Sequence, residues 1–155
     1  MIGSRLLTVL LAFGIGLPLW GAVRGTEVKY VGGTVTSIKD GTVGNCSTRD
    51  EKEFTFEYPG GKLTIPYDRM NSLEYGQKAG RRVGLAIVVS PVALLSKKRK
   101  HFLTINYLDE NEKQQAAVFE LSKGVVRVTL ASMEARSGRK IEFQDEEARK
   151  NAKGN

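Results

Sequence analysis

Two stretches of this chain alternate apolar and polar residues on both sides of a turn, and that pattern leaves few folds open. Phe54, Phe56 and Tyr58 alternate with Thr55 and Glu57, Pro59-Gly60-Gly61 breaks the run, and Leu63, Ile65 and Tyr67 alternate on the return. Leu103, Ile105 and Tyr107 do the same before a polar turn at Asp109 to Glu112, and Ala117, Phe119 and Leu121 come back from it. A period of two in both arms of a hairpin puts alternate side chains on one buried face of an antiparallel sheet. Pro66 lacks the N–H a ladder needs, so the second arm of the first hairpin ends there or lies at a sheet edge.

The remaining segments extend the same pattern. Residues 34–39, rich in β-branched side chains, read as a strand turned at Asp40-Gly41 into a weaker strand over 42–47. Met70, Leu73 and Tyr75 suggest a fifth strand. The period then changes: Val126, Leu130 and Met133 fall at i, i+4 and i+7, the spacing of an amphipathic helix over 123–136. Ser122 is placed to cap its start, and Ser137-Gly138 supplies a left-handed stop. Ile141 and Phe143 add a small closing strand, while 145–155 reads as a polar tail without core-forming residues, with 145–150 a fraying helix or disordered. Gly32-Gly33 and Gly60-Gly61 read as turns, since neither leads into a helix as a phosphate-binding loop does.

A chain of 155 residues, 41% hydrophobic and 26% charged, has room for one globular domain. Its start is different in kind. Arg5 precedes an uncharged, Leu-rich run from Leu6 to Trp20, the profile of a signal peptide or an N-terminal membrane anchor. The expected organisation is therefore a leader over 1–25, one β domain over 26–144 with an insert at 77–100, and the tail at 145–155. The leader implies export, to the periplasm or beyond the cell, with a membrane-attached form compatible. Cys46 is the sole cysteine, so no intrachain disulfide forms and packing alone holds the fold.

Between Glu74 and Asp109 the chain has no acid, yet it carries Lys78, Arg81, Arg82, Lys97, Lys98, Arg99 and Lys100. Those seven bases equal the whole formal charge of +7. Between the two basic groups lies the apolar stretch 83–95, with Leu85, Ile87, Val88, Val89, Val92, Leu94 and Leu95. Crossing a membrane as a helix takes about 20 apolar residues, and Pro91 interrupts this one. Two readings stay open. In one, the stretch is an interfacial or re-entrant segment beside anionic headgroups, each nearby base adding about 1 kcal/mol. In the other, Leu85, Ile87 and Val89 form an extra strand, Val92 to Leu95 pack as a turn, and the bases are solvated. Bases beside an apolar segment tend to stay cytoplasmic, which opposes the leader's export signal.

The series of about seven short antiparallel strands and one C-terminal amphipathic helix resembles the pleckstrin-homology-like superfamily, over about residues 28 to 143. That resemblance implies a mainly β (α+β) fold: an open antiparallel barrel capped by the helix, with Val126, Leu130 and Met133 facing inward. Residues 65–75 and 100–107 are also similar to segments of small exported bacterial proteins. Members of the superfamily bind phosphoinositides, other lipid headgroups or peptides. The phosphoinositide readers place their bases on the first hairpin, whereas here that turn is Asp40-Gly41 with Lys39 as the adjacent base. The phosphoinositide site is therefore not carried over. Charge sits instead in the long connection over 77–100.

Catalysis and cofactors find no support in the sequence. His101, the sole histidine, adjoins the cations, which disfavours its protonation, and no serine or cysteine nucleophile pairs with it in a recognisable motif. No His, Cys or carboxylate cluster has metal-ligand spacing. A Lys-Lys-Arg-Lys run also suits nucleic acid, but an exported chain meets little of it. The expectation is a non-enzymatic, exported membrane-surface domain engaging anionic lipid through the seven bases and the apolar insert. The alternative is a protein-interaction or oligomerisation module of the cell envelope, with the insert packed in the fold or an interface.

Overall fold

The computed structural model describes residues 27–78, 88–89 and 100–153. The expected leader over 1–25 lies outside these residues, as does most of the insert. The fold is mainly β: one open, mixed sheet with two helices. In chain order its elements are β1 (Glu27–Gly33), β2 (Val43–Ser47), β3 (Glu53–Tyr58), β4 (Gly61–Pro66), a single 3-10 turn (Tyr67–Arg69), β5 (Met70–Gly76), β6 (Val88–Val89), β7 (His101–Leu108), β8 (Gln114–Leu121), α1 (Val126–Ser137), β9 (Ile141–Phe143) and α2 (Glu146–Lys153). The strands lie in the order β4-β3-β2-β1-β8-β7-β5-β9, with β6 beside β1.

Both hairpins read from the alternating pattern are present, β3–β4 through Pro59-Gly60 and β7–β8 in register from His101↔Leu121 to Leu108↔Gln114. Gly60 takes φ 110, which a residue with a Cβ rarely adopts. Pro66 ends β4, and β4 is an edge of the described sheet.

The core gathers around Phe119 on the central β8. Tyr30, Phe54 and Phe56 each set a ring against it edge-on, at centroid distances of 5.8, 5.6 and 5.1 Å. The helix α1 lays Val126, Leu130 and Met133 into the same cluster, joined by Ile65, Leu73 and Ile105. Gly138, with φ 67, stops it and donates its N–H to the Glu134 carbonyl at 3.0 Å.

Several sequence expectations are corrected. The first strand is Glu27–Gly33, not residues 34–39, which form a loop whose Ile38 turns into the core. Gly32-Gly33 is accordingly no turn. It ends β1 beyond a register shift after Tyr30, where both β6 and β8 pair with it, and a Cβ on Gly33 would collide with the Ala116 carbonyl oxygen. Ser122 does not cap α1 with its side chain; its carbonyl accepts the Val125 N–H at 3.0 Å, and the helix starts later, at Val126. The closing strand β9 runs parallel to β5, so the sheet is mixed rather than antiparallel. The tail forms α2, started by the Asp145 carboxylate accepting the Ala148 N–H at 2.7 Å, and it buries Ala148 and Ala152 in the core. Alternation in β7 and β8 implied one buried face, yet Phe102, Thr104, Asn106, Ala116 and Val118 on the other parity are buried too.

Candidate functional site

The two ends of the basic window start from neighbouring strands. β5 runs into Lys78 and Lys100 runs into β7, and the antiparallel pair Gly76↔Phe102 sets those ends side by side. Adjacent strands are about 4.8 Å apart, so bases separated by more than twenty positions in sequence share one end of the sheet. Arg81, Arg82, Lys97, Lys98 and Arg99 lie outside the described residues.

The two described bases of the window differ in role. Lys78 is exposed, and its backbone is clamped by Gln144, whose amide accepts the Lys78 N–H at 3.1 Å and donates to its carbonyl at 2.6 Å. Gln144 also donates to the buried carboxylate of Glu74 at 2.8 Å, and its own N–H reaches the Tyr75 carbonyl. This fit requires Gly76, where a Cβ would overlap the Gln144 side chain. Lys100 is not a free cation: its ammonium meets the Glu120 carboxylate at 3.0 Å, with the two side chains 16% and 22% exposed. Lys29 faces Glu120 from the opposite strand.

Of the apolar insert, Leu85, Ile87, Val92, Leu94 and Leu95 lie outside the described residues. Val88 and Val89 form β6, paired antiparallel with Gly33 and Gly32. The middle of the insert is therefore hydrogen-bonded to the sheet. No helix among the described residues is long and apolar enough to cross a membrane.

His101, which opens β7, has a partner that the sequence does not reveal. The Tyr75 hydroxyl lies 2.6 Å from His101 Nδ1, with the rings nearly parallel at 8° and 6.1 Å between centroids. Burial lowers the His101 pKa below 6.5, and the Lys123 ammonium lowers it further. The expected direction holds, although burial is the larger cause and Lys123 lies beyond β8. Burial also pushes the Tyr75 hydroxyl up to about 12.

Elsewhere, an open groove of about 910 Å³ runs between α1, β9 and α2 over Leu130, Ile141 and Phe143. Its rim mixes Arg127, Lys140, Arg149 and Lys153 with Glu134, Asp145 and Glu146, so charge selects no ligand there. Cys46 is buried in β2 with its thiol pushed up to about 11, which suppresses the reactive thiolate. Among the described residues no three His, Cys, Asp or Glu side chains cluster as metal ligands. No protein-family model matches the chain, and no curated protein matches it.

Proposed function

We propose that this chain is a non-enzymatic, exported domain of pleckstrin-homology-like architecture that binds anionic membrane surfaces through its basic window. The observation that carries this reading is the pairing of β5 with β7, which brings the Lys78 and Lys100 ends of the window to one end of the sheet. Seven bases between Glu74 and Asp109 would then act from one region rather than as two separate runs. At an anionic leaflet each unpaired base contributes about 1 kcal/mol. The pleckstrin-homology-like assignment is supported by the succession of strands and then α1, and by Val126, Leu130 and Met133 packing against the sheet's aromatic core. The parallel β9 and the helix α2 are additions to that plan.

A second reading is favoured by β6. A segment whose centre is paired to β1 has less freedom for shallow insertion into lipid, which suits an envelope protein-interaction or oligomerisation module with the insert in the fold or interface. Flotation of the full chain with phosphatidylglycerol and with phosphatidylcholine vesicles, at low and high salt, separates the two. Headgroup binding through cations is selective for the anionic vesicles, falls with salt, and is lost when Arg81, Arg82, Lys97, Lys98 and Arg99 are changed to Gln. Binding indifferent to lipid charge, salt and those substitutions would refute the proposal.

A further inference from the structure

We propose that the outer face of the sheet, opposite α1 and α2, is the docking site of the chain's own insert, residues 79–99, which makes the third layer of the fold. The inference stands apart from the anionic-surface reading, which uses the bases of the window and not its apolar stretch. Four buried apolar side chains do not belong to the core around Phe119: Val31, Phe102, Ala116 and Val118, each at most 3% exposed. Thr104 and Asn106 are buried among them. Register puts this set on one face: Thr104 pairs with Val118, Asn106 with Ala116 and Gly32 with Val118, while the alternate residues Leu103, Ile105, Ala117 and Phe119 point into the core. The helices give Val126, Leu130, Met133, Ala148 and Ala152 to that same core, so both lie on the inner face. A fully buried side chain has a layer over it. Among the described residues no helix or strand lies over the outer face.

The insert is the segment placed to supply that layer. It leaves after β5 at Lys78 and returns at Lys100 before β7, and its middle, Val88–Val89, pairs with Gly33 and Gly32 on the side of β1 away from β8. From β5 across β7, β8 and β1 to β6 is four strand spacings, about 19 Å. Residues 79–87 and 90–99, fully extended, span at most about 33–36 Å each. A route over the inner face adds the helical layer, about 10 Å up and about 10 Å down, and exceeds that reach; the outer face is crossed with residues to spare. Composition agrees. The stretch 83–95 is apolar like the patch, and the charged pair Lys29 and Glu120 borders the patch beside Phe102, at the end where the insert begins. Asn106 donates its amide N–H to Ser72 Oγ at 3.0 Å and keeps Oδ1 buried without a partner among the described residues, an acceptor for a backbone N–H of the covering segment. With the apolar stretch committed to protein, contact with a membrane falls to the bases alone.

Cysteine pairing in the full chain tests this, in a Cys46→Ala background that leaves no other thiol. Val118→Cys, on the central β8, is combined in turn with Leu85→Cys, Ile87→Cys, Val92→Cys and Leu94→Cys. The expected result is an intramolecular disulfide with one or more of the four, mapped by mass spectrometry in dilute protein, at a yield that phosphatidylglycerol vesicles do not change. Disulfide-linked dimers instead would mean that a second copy covers the face, and a position-118 thiol left free in all four would mean that the insert lies elsewhere; either overturns the inference. A yield that falls on vesicle binding overturns it too, because the apolar stretch then leaves the face for lipid. An intact disulfide without vesicle flotation removes the anionic-surface reading and leaves this one standing. Should the cysteine variants fail to fold, Val118→Ala is combined with Leu85→Ala, Ile87→Ala and Leu94→Ala. Contact makes the joint loss in the folding equilibrium about fivefold smaller than the product of the single losses, and additivity at all three overturns the docking.

Discussion

Replacing Glu120 by glutamine separates what Lys100 does for the fold from what it does for binding. The Lys100 ammonium lies 3.0 Å from the Glu120 carboxylate, with the side chains 16% and 22% exposed. Removing one partner costs about 0–1 kcal/mol for an exposed pair and about 3–5 kcal/mol for a buried one. This pair sits between those limits, so Glu120→Gln and Lys100→Gln should each cost about 1–2 kcal/mol, and the double variant should recover most of that loss. Binding to anionic vesicles counts charge instead. One surface cation is worth about 1 kcal/mol, or about fivefold in partitioning. Glu120→Gln removes the Lys100 partner and tightens binding about fivefold; Lys100→Gln leaves Glu120 with Lys29 across the strand pair, removes one cation and weakens binding about as much. The double variant, with net charge unchanged, binds like the parent. Urea unfolding followed by circular dichroism measures the first set and flotation the second. A double variant that binds as weakly as Lys100→Gln would mean that Lys100 touches headgroups itself, and the ion-pair argument would fail.

Three further outcomes follow from the packing and the titrating groups. The folded-state pKa of His101 lies below its unfolded value of 6.5, so the unfolded chain binds the extra proton first. Its stabilising contribution is complete above 6.5 and is lost as pH falls through the folded pKa; the acid-side slope in urea midpoints should shrink in His101→Gln. Phe119→Leu, which keeps bulk but removes three ring contacts, should cost about 2 kcal/mol, and Phe119→Ala about 4 kcal/mol. Equal unfolding midpoints for the two variants would contradict the aromatic account. Ala148→Asp places a charge at a fully buried position and should abolish amide protection across α2 while β7 and β8 stay protected; unchanged exchange in residues 149–153 would show that α2 does not depend on that contact.

The two hairpins were legible because their inward residues are large and regularly spaced, and because Pro59-Gly60-Gly61 admits little but a turn. Residues 34–39 misled because β-branched side chains favour strands wherever they occur, while the register was decided upstream by Gly32 and Gly33, whose φ values of 152 and 142 fit two neighbours against β1. A helix was one of the two readings of the tail, but its docking on the core was hidden by size: Ala148 and Ala152 are correctly spaced for one helical face, yet alanine hardly registers as apolar. The basic window was legible as composition. That its Lys78 and Lys100 ends lie side by side was not, since it depends on β5 lying beside β7, and neither Glu120 beside Lys100 nor Tyr75 beside His101 is near its partner in sequence.

The placement of β1 between β2 and β8 has a consequence for how the chain reaches this state. The β3–β4 and β7–β8 hairpins close over short loops and can form early, whereas Val28 must wait for Leu121 before the sheet becomes continuous. Loop-closure entropy has to be met before such distant pairing is rewarded, which puts the chain among slow folders. Until β8 is synthesised, β1 keeps an open edge, and the sheet cannot join its two halves.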